Sequence, residues 1–369
     1  MSTPLYVEVS PLLTPHLTGI GRFVARLVEA LARRSPLRLV NTIQADLARS
    51  MRLSTALPCG QEITVNPGDL PGADRDIEAW RKELLRLPHA RHDAELASRS
   101  AGLFTLLRPA TRHFACEVSI LYDFTPLLVP WAHVPETREH FGIFFTQSSR
   151  LADKAVAISR STQADASWLC SLPAEDVVVA YPGPSLCARE HAHPSAVTRK
   201  DRVILVVSTL EPRKNGQFLL DWFLETEVLE PGTELWWAGP AGWLWNSSTK
   251  RPAGKRRQAV KFLGMVSDAT LCRLYREATF TIYPSLYEGF GFPVLDSLLH
   301  GTPVASSYNS SLSEFAGPGV FYFDPCDRSS LDAACRELLA SRVQDVARDD
   351  LRRRCSWDTL AATITSLSA

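Results

Sequence analysis

The residues with the clearest chemistry lie in the stretch Tyr283-Pro-Ser-Leu-Tyr-Glu288-Gly289-Phe290-Gly291-Phe292-Pro293-Val-Leu-Asp296. Two acids, Glu288 and Asp296, flank a Gly-Phe-Gly-Phe-Pro core. The pattern predicts a strand end, a glycine-permitted loop and a helix starting at Pro293, a residue suited to a first helical turn. Such a loop and helix start present free N–H groups and a positive dipole end to an anion. Glu288 then sits in the loop and Asp296 one turn into the helix. A second segment, Ser208-Thr209-Leu210-Glu211-Pro212-Arg213-Lys214-Asn215-Gly216, follows the apolar run Val203–Val207. That places Arg213 and Lys214 at the carboxyl edge of a sheet, where open α/β folds bind ligands. Two adjacent cations there can neutralise a diphosphate, arginine as a fork and lysine as a point charge.

Four further places carry weaker signals. Phe262-Leu263-Gly264-Met265-Val266-Ser267-Asp268 joins a strand to a helix, with Gly264 allowing close approach and Asp268 expected as the N-cap. In the N-terminal half, Gly19-Ile20-Gly21-Arg22 stands in a loop between a strand and a helix, and is no dinucleotide fingerprint. Tyr122-Asp123 ends a strand in an acid, which reads equally as a helix or loop cap. Asn309-Ser-Ser-Leu-Ser-Glu314 is a loop whose Glu314 reads as a support residue. Trp236, Trp237, Trp243 and Trp245 read as a strand with a packed loop, and His16, His133 and His140 as structural or surface residues.

The elements that would position these residues fall into two sets. Leu5 to Val9 is a short β-prone run, and Phe23, Leu27, Ala30 and Leu31 share one face of a helix expected from Arg22 to Arg34. Strands are expected at Leu37 to Val40, Val118 to Asp123, Lys154 to Ser159 and Val177 to Ala180, with a helix from about Thr162. The stretch from about 45 to 115 resists assignment, beyond a helical reading of its charged part from Asp74 to Arg99. After Tyr181-Pro-Gly-Pro184 a second α/β pattern begins. Its strands are expected at Val203 to Val207, Glu234 to Ala238, Ala259 to Leu263, Thr279 to Tyr283, Pro303 to Ser306 and Val320 to Phe323. Helices are expected between them, at 216–226, 268–277, 293–299 and 329–341. The run Val203–Val207 is unbroken, as for a strand buried on both faces. The reading is α/β, two doubly wound domains, 1–185 and 186–355, with a C-terminal helix at about 356–369 packing back on the first.

At 369 residues the chain suits two domains. The formal net charge of +0 argues against a nucleic-acid-coating protein, since phosphate binding on that scale needs a basic excess. None of the eight cysteines forms a CxxC pair or a zinc spacing, which fits idle thiols in a reducing cytosol. The first residues, Met1-Ser-Thr-Pro-Leu5, show no signal-peptide pattern, and no 18-residue apolar run appears. A cytoplasmic protein is expected, with peripheral contact to a membrane surface left open through Arg26, Arg33 and Arg34.

The whole C-terminal half, the N-terminal glycine loop and the closing Cys355-Ser-Trp357 resemble the retaining glycosyltransferases of family 4, which have the GT-B fold. The hallmark is the pair of acids around Gly-Phe-Gly-x-Pro, here followed by His300-Gly-Thr-Pro-Val304. The resemblance implies two Rossmann-like domains facing a cleft. It implies that Glu288 contacts the donor sugar and that Asp296, where the family more often has Glu, holds the nucleotide ribose. Lys214 would grip the donor phosphates; where many members carry a second cation this chain has Thr209, and Arg213 is the candidate to replace it. The loop Gly264-Met265-Val266 would meet the nucleotide base through its backbone. Gly289, Phe290, Gly291, Phe292 and Pro293 would line the donor, and Gly19 and Gly21 would approach its phosphates. Asp123, preceded by Tyr122 where relatives often have histidine, would position the acceptor hydroxyl.

The implied reaction is metal-independent transfer with retention, needing no cofactor. The donor is a nucleotide sugar, with GDP-mannose first, and the acceptor a glycan or lipid-linked glycan in surface polysaccharide synthesis, O-antigen included. Two alternatives stay open: a nucleotide-sugar epimerase of the same architecture, and a non-catalytic nucleotide-sugar-binding scaffold.

Overall fold

The computed structural model describes residues 3–42, 56–70, 76–106, 108–109, 111–139, 141–142, 149–185, 200–242, 257–341 and 348–369. They form two compact units. The first comprises Met1–Asp123, Glu139–Ser185 and Cys355–Ala369, and the second Phe124–Arg138 and Leu186–Arg354. Trp243, Trp245, Cys187 and His140 lie outside the described residues.

In the second unit the strands are β9 (Val203–Val207), β10 (Glu234–Ala238), β11 (Val260–Gly264), β12 (Phe280–Tyr283), β13 (Val304–Ser307) and β14 (Val320–Phe323). They line up as β11-β10-β9-β12-β13-β14, all parallel. The unbroken apolar run of β9 has a direct cause. Ile204 and Val206 pack with Leu219, Trp222 and Phe223 of helix Gly216–Glu225 and Leu331 and Leu338 of helix Arg328–Ala340. Val203 and Leu205 point the other way, onto Cys272, Leu274 and Tyr275 of helix Asp268–Glu277. Successive side chains alternate faces, so a strand covered on both sides must be apolar at every position. The chain leaves β9 toward β10 on one side and returns to β12 on the other, so the loops after β9 and β12 meet where the strand order reverses.

The first unit has β1 (Leu5–Glu8), β2 (Leu37–Val40), β3 (Gln61–Val65), β4 (His89–Arg91), β5 (Ala101–Phe104), β6 (Cys116–Leu121), β7 (Lys154–Ala157) and β8 (Val177–Val179). Their order is β4-β3-β2-β1-β5-β6-β7-β8. The sheet is parallel apart from β3 and β4, which extend one edge antiparallel. That corrects the helical reading of Asp74 to Arg99. Helix Ile77–Leu84 is present, capped by Asp76, which accepts from the amides of Glu78 and Ala79 at 3.0 Å each. The strand β4 follows, and its three residues are all exposed, so it carries no apolar signature. Helix Trp357–Leu367 packs on helix Gly19–Ala32. The Trp357 ring meets Phe23 edge-on at 5.0 Å, and its Nε1 donates to the Pro184 carbonyl at 2.9 Å. Gly183 lies against that ring so closely that a Cβ there would stand 2.3 Å from it.

Of the three arginines on or just after helix Gly19–Ala32, Arg33 and Arg34 are exposed and Arg26 is not. Arg26 is buried and pairs with Glu29 at 3.4 Å, while Arg33 bridges Glu29 and Asp358. No described helix is long and apolar enough to cross a membrane.

Candidate active site

The loop after β9 turns through Pro212–Lys214 into Asn215, whose φ of 56° starts the next helix, and leaves Arg213 and Lys214 at the carboxyl edge. The loop after β12 runs from Pro284 to Gly291 and feeds helix Phe292–Leu299. Gly291 has φ +106°, and a Cβ there would stand 2.6 Å from Leu312 Cδ2, so conformation and packing both call for glycine. The helix opens at Phe292, one residue before Pro293. The two loops are joined through the backbone, the Leu286 amide donating to the Arg213 carbonyl at 2.9 Å.

Glu288 is the centre of this arrangement and is 7% exposed. Its Oε1 accepts from Lys214 Nζ at 2.6 Å, from the Tyr283 hydroxyl at 3.0 Å and from the Ser285 hydroxyl. Its Oε2 faces Arg213 at 2.8 Å. Burial alone would raise this carboxyl, but the Arg213 and Lys214 charges outweigh it and hold the group down at about 2. Lys214 is pulled below the usual lysine range, by burial first and by neighbouring Arg213 second. Arg213 donates to the Tyr287 carbonyl at 2.8 Å and to Glu211 at 2.9 Å. Glu211 is itself buried, and burial raises its carboxyl. The loop 309–311 braces Glu288 from behind. Its amide donates to Ser310 Oγ at 2.9 Å, and Ser311 Oγ donates to the Glu288 and Phe290 carbonyls at 2.9 Å each.

Of the residues expected at a donor site, Arg213, Lys214, Glu288, Gly289, Phe290, Gly291, Phe292 and Pro293 gather on these two loops and the helix that follows. Phe290 contributes packing, its buried ring lying against Phe292 at 5.0 Å and Phe315 at 5.3 Å. Asp296 is on the same helix and is 2% exposed. Gly264, Met265 and Val266 close β11, two strands from β9 on the far flank, with Met265 72% exposed. The N-cap of the following helix is Ser267, accepting from the Thr270 amide at 3.2 Å, and Asp268 is the first helical residue. Asp123, Gly19 and Gly21 belong to the first unit. The two glycines are not in a loop: the helix begins at Gly19, with Thr18 as its cap accepting from the Gly21 amide. Glu8, Tyr283, Ser285, Glu211, Ser310 and Ser311 were missed. The Pro-Ser after a strand and the Asn-Ser-Ser run were the only signals for any of them.

Glu8 closes β1 in the first unit, is 1% exposed and faces no cation among the described residues. Its Oε1 accepts from the Ser10 amide at 2.6 Å, and its Oε2 lies 3.1 Å from Thr105 Oγ1. Burial, the largest influence, pushes this carboxyl up to about 7. Nearby Tyr122 meets Phe23 edge-on at 4.9 Å, and its hydroxyl is raised well above its usual range by burial.

Among the described residues no group of three or more His, Cys, Asp or Glu is placed to hold a metal ion. The sequence does contain one Asp-x-Asp spacing, Asp74-Arg75-Asp76, of the kind metal-dependent sugar transferases use. Asp76 is occupied as a helix cap, and Asp74 lies outside the described residues.

Residues 189–356 match the family of glycosyl transferases, group 1. The match falls on the second unit and takes in both loops of the Lys214–Glu288 cluster. The chain is 33% identical over 175 residues to the O-antigen chain mannosyltransferase B of Escherichia coli, a match covering 43% of this chain and 44% of that one. It is 25% identical over 240 residues to the serotype-specific mannosyltransferase WbdA of Escherichia coli, covering 61% of this chain and 29% of that protein. The chain thus spans less than half the length of these curated relatives. In fold it is similar to HepE of Anabaena, solved in complex with UDP, at a TM-score of 0.65, 16% identity and 99% coverage of both chains. Sucrose-phosphate synthase of Thermosynechococcus elongatus gives 0.66 at 14% identity, over 99% of this chain and 98% of that one. In fold the chain is GT-B, with two doubly wound units. Within the matched residues, the Lys214–Glu288 cluster occupies the switch point of the sheet.

Proposed function

We propose that this chain transfers a sugar, with retention and without a metal, from a nucleoside diphosphate donor to a glycan or lipid-linked glycan. The observation that carries the reading is a buried Lys–Glu–Arg cluster at the switch point of a sheet within the residues that match the group 1 family. Likeness to O-antigen mannosyltransferases supports mannose as the sugar, and GDP-mannose is the donor we propose with it. In the reaction the acceptor oxygen bonds to the anomeric carbon as the bond from that carbon to the diphosphate breaks. The diphosphate leaves with the electron pair, and the acceptor proton passes to its departing oxygen. Lys214 and the amides opening helix Phe292–Leu299 meet the charge that develops on the leaving group. Glu288 faces the sugar, Asp296 the ribose and the Gly264–Val266 backbone the base. Gly19 and Gly21 lie toward the phosphates, and Asp123 orients the acceptor hydroxyl.

The test is a thermal-stability panel of GDP, UDP, ADP and their sugar conjugates, followed by NMR of the product's anomeric signal with and without chelator. A ligand at 100 times its dissociation constant adds about 2.7 kcal/mol of native-state stability. Stabilisation by one base, erased in Lys214→Ala, with product of unchanged anomeric configuration in chelator, is expected. An inverted product, or turnover abolished by chelator, refutes the mechanism. Sugar isomerisation without an acceptor refutes transfer.

A further inference from the structure

The cluster that would receive the donor is closed on itself. Two of the three Lys214 ammonium hydrogens go to Glu288 Oε1 at 2.6 Å and to the Tyr283 hydroxyl at 2.8 Å. Among the described residues the third has no protein acceptor. Two carboxylates, Glu211 and Glu288, stand against two cations, Arg213 and Lys214, so the set is formally neutral. A diphosphate entering a neutral, poorly hydrated set gains little, because each cation already faces an anion. One carboxylate must leave for the ligand to be held.

Geometry selects which one. Glu211 is 3% exposed and bonded to Arg213, which is also tied to the Tyr287 carbonyl, so this pair fastens the two loops together. Glu288 instead precedes Gly289 and Gly291, and the backbone on both sides of it is already held by Ser310 and Ser311. Its carboxylate accepts from Lys214, Tyr283 and Ser285 and pairs with Arg213, so a ligand must replace those bonds, but the main chain need not move. We propose that a diphosphate binds by exchange: its oxygens displace the Glu288 carboxylate from Lys214, and the freed carboxylate turns to the sugar of the same ligand. This rests on the transferase reading above and adds an order of recognition to it, phosphate first and sugar second. In the resting state Glu288 is a built-in competitor for the phosphate. Tyr283 is a positioning residue, its hydroxyl accepting from Lys214 while donating to Glu288 and so holding the pair closed.

The experiment measures inorganic pyrophosphate, GDP and UDP by calorimetry against the full-length wild type, Glu288→Gln and Tyr283→Phe, with unliganded melting of each as a folding control. Glu288→Gln keeps the shape and removes the competing charge, so pyrophosphate binds about tenfold more tightly than to the wild type. Tyr283→Phe keeps the ring and drops one hydrogen bond, so binding tightens about threefold. The Glu288→Gln result decides, and Tyr283→Phe decides if that variant does not fold. Unchanged or weaker binding to the deciding variant, in a chain whose wild type binds a nucleoside diphosphate, overturns the exchange and leaves the transferase reading standing. Binding of none of the three ligands to any form overturns the transferase reading itself.

Discussion

Replacing Glu8 by glutamine isolates the cost of a buried carboxyl that faces no cation among the described residues. The hydrogen bonds already indicate its protonation state. Thr105 has one hydroxyl hydrogen and two oxygens in reach, the Glu8 carbonyl at 2.8 Å and Oε2 at 3.1 Å. Donated to the carbonyl, that hydrogen leaves Oε2 facing a lone pair, which a protonated carboxyl satisfies and a carboxylate does not. In the unfolded chain the group titrates near 4.5, and in the fold near about 7. Below 4.5 both states are protonated and Glu8 costs nothing. Between 4.5 and 7 the unfolded chain gives up the proton and the folded one keeps it, so stability falls as pH rises. Above 7 the loss levels off. At 1.36 kcal/mol per pH unit, the gap comes to about 3 kcal/mol.

Glutamine removes the titration and keeps the contacts, its carbonyl oxygen accepting from Ser10 and its amide donating to Thr105. Urea denaturation of both proteins from pH 4.5 to pH 8.5 supplies the assay, because the difference between them cancels every other titrating group. The difference is expected to be near zero at the acid end. It then rises in favour of Glu8→Gln and reaches a plateau of about 3 kcal/mol just above neutrality. A flat difference refutes the reasoning, since it means that Glu8 ionises in the fold at its ordinary pKa or that water reaches it.

Three other outcomes follow from the packing. Gly21→Ala puts a Cβ 2.8 Å from Leu17 Cδ2 and 2.9 Å from the Pro11 carbonyl oxygen and is expected to destabilise by about 1–3 kcal/mol, whereas Gly19→Ala meets nothing within 4 Å and melts like the wild type. If Gly19 approaches the donor phosphates, Gly19→Ala lowers transfer with stability unchanged; full activity removes it from the site. Ser311→Ala leaves the Glu288 and Phe290 carbonyls without their common donor and is expected to cost about 1–2 kcal/mol with a fall in kcat, read by melting and initial rates. Trp357→Ala cuts the aromatic contact with Phe23 and the bond to Pro184, and loses about 3 kcal/mol in urea denaturation if the last helix holds the first unit together.

What was legible in the sequence was what local pattern controls. The β9 run announced a strand covered on both faces because every residue in it meets a helix. The Gly-Phe-Gly-Phe-Pro core announced a turn into a helix because Gly291 is left-handed and Pro293 lies in the first turn. The failures have physical causes of another kind. β5, Ala101–Phe104, is as short as β1 or β2 but reads Ala-Gly-Leu-Phe, with a glycine and no β-branched residue to mark it as a strand. Gly19-Ile20-Gly21 looked like a loop by propensity, yet Thr18 caps it and Gly21 packs under Leu17, so tertiary contact overrides the glycine penalty. Arg213 was expected as a second cation for the donor phosphates, and its partners in the fold were not legible. It proved to be tied to Glu211, Tyr287 and Glu288, the last two more than seventy residues downstream, which no local pattern encodes.

The same long-range contacts explain why the site is placed so closely. Four of the loops at the carboxyl edge of the second sheet, those after β9, β12, β13 and β14, are each fastened to another through a backbone carbonyl. Leu286 donates to Arg213, Asn309 Nδ2 to Leu286 at 2.6 Å, Ser307 Oγ to Ser285 at 2.6 Å and Asn215 Nδ2 to Pro325 at 2.8 Å. Side-chain amides and hydroxyls bonded to main-chain carbonyls satisfy groups that would otherwise be buried without partners, and they fix main chain to main chain. A frame sewn in this way cannot shift one loop without breaking bonds in the next. Rearrangement on ligand binding therefore falls to side chains, and the proposed exchange asks only the Glu288 carboxylate to move, its main chain being braced by Ser310 and Ser311.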